Sequence, residues 1–307
     1  MWYALASYVE GSAIRPALVV DAALYDLDAL CERASSPARA VVAGGVGAIV
    51  SAWVSVAPEV ARLASAVVRL VDAGVIHALP ADIELREPFR PARIFAAASN
   101  FREHAKEMGT ALAARAESAP YFFLKADSSV IGPGAVVRIP RGCQKPDWEV
   151  ELAVILGLGG RDIAVESATR HIAAYTILND VTARDLTRRA DYPFTFDWFR
   201  GKSHDTFAPL GPWLVPHACI SNVQTLRLRL RVNDVVMQDD TTASMIFTIA
   251  EQISYLSTIV TLRPGDVIAT GTPDGVGMGR GVFLKPGDVM RATVEGIGDL
   301  ENPVTGD

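Results

Sequence analysis

The sequence predicts an α+β fold that is mostly β, with a small N-terminal α/β domain over residues 1–90 and a larger β-rich domain over residues 91–307. Three observations carry this. About the first 25 residues read as two or three short strands around the turn "EGS", and the next fifty or so are rich in Ala, Val and Leu with helical spacing. Beyond "HALPADIELREPFRPARIFAAAS" the texture changes to short strands cut by Gly and Pro turns. Two turns, "LRPGDVIAT" and "LKPGDVMRA", repeat one local form without a longer period, as two entries into one sheet system do and a solenoid does not.

In chain order, "PEVARLASAVVRLVDAG" predicts a helix that starts at Pro58 and stops at Gly74. Strands are expected at 148–157, 172–178, 225–233 and 266–270, and one further helix at 242–257, "TASMIFTIAEQISYLS". The run 41–58 is uncharged for 18 positions, which raises the question of a membrane span. Its three glycines, two serines and closing proline, with no Lys or Arg anchor behind it, favour a buried helix and turn, hence no membrane partner.

Composition narrows the function classes. A 307-residue chain, half of it apolar, can bury a large core. A formal charge of -6, with no basic cluster longer than Arg188 and Arg189, leaves no footprint for nucleic acid. Cys31, Cys143 and Cys219 are scattered and form no CxxC, and "MWYALASYVEGS" lacks a basic region followed by an apolar one; both favour a reducing, cytoplasmic setting.

The polar residues set into this apolar frame point to chemistry. In "PDWEVELAVILGLGG", Glu149 and Glu151 lie two apart and so share one face of a strand whose remainder looks buried. Like charges there are costly unless something positive offsets them. The strand "HIAAYTILND" ends in Asp180, and the three carboxylates together would form a set of hard oxygen ligands suited to Mg²⁺ or Mn²⁺. The competing reading is ion pairing of the glutamates with Arg141, Arg184 or Lys202. In "SNFREHAKEMG", His104 and Glu107 stand at i and i+3, where the carboxylate can fix the imidazole tautomer; the alternative is a solvated helical histidine. Lys125 and Lys202 close apolar runs, and lone lysines there often only snorkel. "IATGTPDGVGMG" lacks the GxGxxG order of a dinucleotide site, which leaves little for a reductase reading; it reads as a tight turn offering Thr272 and free backbone N–H groups to an anion.

Seven segments in order, "NFREHAKEMG", "YFFLKADSSVIGPG", "DWEVELAVILG", "YTILNDVTARDL", "GKSHDTFAPLGPW", "LSTIVTLRPGDVIATGTPDGVG" and "FLKPGDVMRATVEGIGDLEN", resemble the catalytic domain of the fumarylacetoacetate hydrolase family from about residue 92 to 303. The resemblance implies a mixed β-sandwich or β-roll catalytic domain and one Mg²⁺ or Mn²⁺ per chain on Glu149, Glu151 and Asp180. It implies a catalytic dyad of His104 and Glu107 with Lys202 as a third catalytic group, and substrate contacts from Lys125, Arg184 and Thr272. A small oxo acid or diketo acid is the implied partner, and a homodimer the implied assembly.

Two departures bear on specificity. Phe101 stands where members carry Tyr, and Thr187 where many carry Gln. The insert "RRADYPFTFDWF" is expected to bring Arg188, Arg189, Phe194, Phe196, Trp198 and Phe199 toward the pocket, with Phe196 and Thr187 touching substrate. The activity that the resemblance implies is metal-dependent hydrolysis of a C–C bond in an acylpyruvate or 1,3-diketo acid, in aromatic compound catabolism. Isomerisation of a 2-hydroxyhepta-2,4-diene-1,7-dioate type compound, or oxo-acid decarboxylation, would use the same enolate chemistry. A non-catalytic member would have lost a metal carboxylate or the dyad, and neither is lost.

Overall fold

The computed structural model describes residues 1–109 and 114–306. Its frame is a large mixed sheet in which strands run in the order Ala23–Asp26, Ala13–Val20, Ala4–Glu10, Ala208–Pro216, Ile172–Asn179, Val150–Leu156, Val267–Ala269, Ile94–Ala98 and Tyr121–Lys125. A second sheet holds Val235–Thr241, Arg227–Val232, Val289–Val294, Gly298–Gly306 and Val137–Ile139. The expectation of an α+β fold dominated by β-structure is met.

The central strands are apolar on both sides because both sides are covered. Along Val150–Leu156, the even-numbered Val150, Leu152, Val154 and Leu156 enter one core together with Leu228, Leu230, Met290 and Leu300 of the second sheet and Ile253 of a helix. The odd-numbered Ala153 and Ile155 enter a second core with Leu30, Ile49, Val60 and Leu63 from the N-terminal helices. The alternation of a pleated strand thus sends successive residues into different layers. Glu149 and Glu151 belong to the odd series, at the end of the strand. The large sheet also passes from one side of residue 90 to the other, since Leu5 pairs with Leu214, so a division near residue 90 would be one of chain order and not a gap in the sheet.

Strand expectations match within a few residues; two helix limits differ. The helix expected from Pro58 runs Trp53–Asp72 and carries Pro58 in its second turn, where one missing N–H donor interrupts a single intrahelical bond. Its end is as expected, with Gly74 at φ 66° beyond the cap. The helix expected over 242–257 runs Ile249–Ile259 instead, because Thr248 and Glu251 form a capping box that fixes the first turn; Thr242–Ser244 is a separate 3₁₀ turn. The uncharged stretch 41–58 falls in short helices and the start of Trp53–Asp72, and among the described residues no helix is long and apolar enough to cross a membrane.

Two substitutions test this frame. Leu152→Ala, in a fully buried site, should cost roughly 2–5 kcal/mol in denaturant unfolding. Val54→Ala, on an exposed helix face, should change stability by less than about 0.5 kcal/mol. Similar losses from both would mean that the uncharged segment is buried in a way this packing does not provide.

Candidate active site

Antiparallel pairing builds the carboxylate cluster. Val150 pairs with Asn179, so the start of one strand meets the end of the other, and the Asp180 amide donates to the Glu149 carbonyl at 2.8 Å. Glu149, Glu151 and Asp180 each place a carboxylate oxygen within 4.8 Å of the others, and all three are buried. Cations surround part of this group. Lys202 Nζ donates to Glu149 and Asp180 at 2.7 Å each, Lys125 Nζ donates to Asp180, and Arg184 reaches both Glu149 and, at 2.7 Å, Asp147. Ion pairing with Arg184 and Lys202 is therefore present alongside the ligand geometry; Arg141 takes no part among the described residues.

Counting charges shows what the cluster lacks. Asp147, Glu149, Glu151 and Asp180 are four carboxylates facing three cations, Lys125, Arg184 and Lys202. Burial pushes Glu149 up, but Lys202 and Arg184 outweigh it and hold its pKa down at about 2. Glu151 has no cation within salt-bridge distance among the described residues, and burial, then the charges of Asp180 and Glu149, push it well above the ordinary carboxylate range. Burial lowers Lys125 despite Asp180, whereas Asp180 and Glu149 overcome burial and raise Lys202. Three oxygen donors and one uncompensated negative charge fit a hard divalent cation, which would favour the ionised form of Glu151.

The glycine-rich turn serves anions that the protein itself supplies. Gly271 N–H donates to Glu151 at 2.7 Å. Gly275 N–H donates to both oxygens of Glu107 at 3.0 and 3.1 Å. Gly277 and Met278 N–H groups donate to Asp147 at 2.6 and 3.0 Å. Thr272 lines the cavity, yet its hydroxyl donates to the Val150 carbonyl at 2.8 Å and accepts from Gln238 at 2.8 Å. The N–H groups of Gly271, Gly275, Gly277 and Met278 and the Thr272 hydroxyl are thus engaged within the site.

His104 and Glu107 lie on the helix Arg102–Glu107, with Nδ1 and Oε2 3.4 Å apart and His104 buried. Burial raises Glu107, but the contacts with His104 and Gly275 bring it below its ordinary value. Residue 279 must be small here, since a Cβ on Gly279 would lie 2.1 Å from a Glu107 oxygen.

His104, Glu149, Arg184, Lys202 and Thr272 all face one cavity of about 550 Å³. No residue before Ala97 lines it. Of the insert, Arg188, Phe196 and Trp198 form part of the wall; Phe194 and Phe199 are exposed and are not among its lining residues, and Arg189 is held by Asp191 and Asp197. Thr187 lines the cavity, with its hydroxyl donating to the Ala183 carbonyl at 3.1 Å. Lys125 is not among the lining residues: its ammonium is held by Asp180 and the Lys202 carbonyl. Phe101 is buried and offers no hydroxyl.

Sequence reasoning missed three positioning groups. Asp147 holds Arg184, and it continues the same two-residue alternation that singled out Glu149 and Glu151. Gln238 ties Thr272 and the Pro273 carbonyl to the Val150 amide. Asn100 binds the Thr270 carbonyl and the backbone of Phe247, fixing a wall of the cavity beside the strand ends.

Comparison with known proteins adds family and relatives. A Xenopus laevis mitochondrial oxaloacetate tautomerase is 40% identical over 226 residues, 73% of this chain and 69% of that protein. The fumarylacetoacetate hydrolase of Exiguobacterium antarcticum superposes with a TM-score of 0.79 at 31% identity, over 99% of this chain and 100% of that one. A 5-carboxymethyl-2-hydroxymuconate delta-isomerase from Mycobacterium smegmatis gives a TM-score of 0.64 at 36% identity, over 75% and 84% of the two chains. Residues 93–305 match the family model described as fumarylacetoacetate (FAA) hydrolase C-terminal, and the chain belongs to the fumarylacetoacetate hydrolase family.

Proposed function

We propose that the protein is a divalent-metal-dependent hydrolase that cleaves a C–C bond in an acylpyruvate or related 1,3-diketo acid. The observation that carries this reading is the placement of a His–Glu pair and a buried carboxylate cluster on one cavity. Glu149, Glu151 and Asp180 would hold one Mg²⁺ or Mn²⁺, whose chemistry when bound is Lewis-acid polarisation of the oxo-acid carbonyl. Lys202 and Arg184 supply positive charge on the cavity side for the substrate carboxylate and the developing oxyanion. Lys125 donates to Asp180 from behind the cavity wall.

His104, oriented by Glu107, takes a proton from water as the oxygen adds to the distal carbonyl. The C–C bond then breaks, the distal acyl group leaves as a carboxylic acid, and the pyruvate enolate is protonated at carbon. Glu107 stays anionic through its Gly275 N–H bonds, which stabilises the imidazolium that forms. A second reading is supported by the relatives named as a tautomerase and an isomerase: the same base moves a proton at carbon and no water is consumed.

Calorimetric titration of metal-free protein should show one Mg²⁺ or Mn²⁺ per chain, weakened by roughly 10-fold or more in Glu151→Gln. Unchanged affinity would remove Glu151 from the ligand set. His104→Ala should keep metal affinity within about twofold and lower hydrolytic turnover by roughly 10²-fold. Glu107→Gln should have a smaller effect of the same kind. Turnover of His104→Ala within about twofold of the parent would transfer the role of base to another group. Product NMR in deuterated water, with acylpyruvates, 2-hydroxydienedioates and oxaloacetate as substrates, separates the readings: pyruvate plus a carboxylic acid supports hydrolysis, and deuterium exchange at carbon without cleavage supports tautomerisation.

A further inference from the structure

A column of stacked groups leads from the carboxylate cluster to the mouth of the cavity. Lys202 Nζ lies 5.4 Å from the Phe123 ring centroid. Phe123 stacks on Trp198 at 5.2 Å with 15° between planes, and Trp198 stacks on Phe196 at 5.9 Å and 20°. Arg188 closes the outer end, its guanidinium 5.0 Å from the Phe196 centroid. The three rings all line the cavity, and Phe196 is 48% exposed.

Arg188 and Arg189 differ in their charge state of affairs. Arg189 is tied to Asp191 and Asp197, whereas Arg188 lies on the cavity and forms no salt bridge among the described residues. The backbone bridge between Arg188 and Phe196 keeps this cation on the ring. The cavity falls in the size class that takes up drug-sized ligands, more than an oxo acid of a few carbons fills. The ring faces are turned to one another and to Lys202 and Arg188, so the column offers ring edges to the cavity, and a planar aromatic partner lying along it gains both buried area and edge-to-face contacts.

We propose that this site accepts an oxo acid whose distal acyl group is an extended planar ring system, seated along Phe123, Trp198 and Phe196 with an anionic terminus at Arg188. This rests on the oxo-acid reading above and names the substrate class within it. The pyruvyl end lies at Lys202 and the carboxylate cluster, and the ring system follows the column outward. Arg188 meets the terminus as a charge-assisted donor while its other face stays on Phe196.

The test uses binding, so it does not depend on which reaction follows. Affinities of oxamate, N-(2-naphthyl)oxamate and N-(6-carboxy-2-naphthyl)oxamate are measured by calorimetry on Mn²⁺-loaded protein, with Phe196→Ala and Arg188→Gln, both at exposed positions. The naphthyl compound should bind roughly tenfold or more tightly than oxamate, with most of that gain lost in Phe196→Ala and oxamate itself unaffected. The added carboxylate should bring a further gain of about fivefold that weakens with salt and disappears in Arg188→Gln. Equal affinity for oxamate and its naphthyl derivative, or a gain that survives Phe196→Ala, overturns the ring subsite; a carboxylate gain untouched by Arg188→Gln overturns the terminus. Oxamate binding without an aryl gain would reject the column and leave the oxo-acid reading standing. Failure of oxamate, with the carboxynaphthyl compound still bound through Phe196 and Arg188, would reject the oxo-acid end alone, and no binding of any of the three would reject both.

Discussion

The site depends on one electrostatic constraint: four carboxylates are buried together where two antiparallel strands meet. Each such charge removed from water needs a partner of opposite sign or convergent donors, since an uncompensated one would be neutralised or would destabilise the fold. Lys125, Lys202 and Arg184 answer three of the four, and each comes from a different segment of chain. The requirement for compensation therefore draws the strand Tyr121–Lys125, the short helix Trp198–Lys202 and the one-turn helix Arg184–Thr187 onto the same point. The fourth, Glu151, is left with a backbone donor, and that imbalance is what gives the cluster its capacity for a cation.

Backbone amides complete the arrangement in a way that links its parts. One glycine-rich segment donates to Glu151, to Glu107 and to Asp147, and so it touches the ligand set, the dyad and the support of Arg184 in turn. Glycine permits this because the chain must pass close to these carboxylates: a Cβ on Gly277 would approach Asp147 at 2.7 Å, and one on Gly279 would overlap Glu107. A displacement of this segment would be felt by all three at once.

Much of this was legible in the sequence for definite reasons. Glu149 and Glu151 stand out because charges at period two interrupt an apolar strand, and Asp180 stands out as a carboxylate at a strand end; pairing between those strands then brings the three together. His104 and Glu107 are legible from local helical spacing. What could not be read were contacts between distant segments: nothing local says that Lys125 lies behind Asp180, 55 residues away, or that Gln238 joins Val150 to Thr272. Backbone donors carry no residue identity, so the turn expected to serve a ligand gives no sign that its N–H groups are engaged internally. The late start of the helix at Ile249 was readable from Thr248 and Glu251, a capping box set inside a longer apolar pattern.

The contact between Thr187 and Gly201 has a consequence for how this pocket can diversify. A Cβ at position 201 would lie 2.0 Å from the Thr187 hydroxyl oxygen, so the two helices they occupy touch with no spare room. Residue 202, the next in the chain, is the lysine that bridges Glu149 and Asp180. A lineage exploring larger side chains at 187, on the cavity wall, would thereby shift the helix that carries Lys202. Substitutions at 187 and 201 should therefore be epistatic, since each would need space that the other occupies, and a change at this part of the wall would have to come as a paired one.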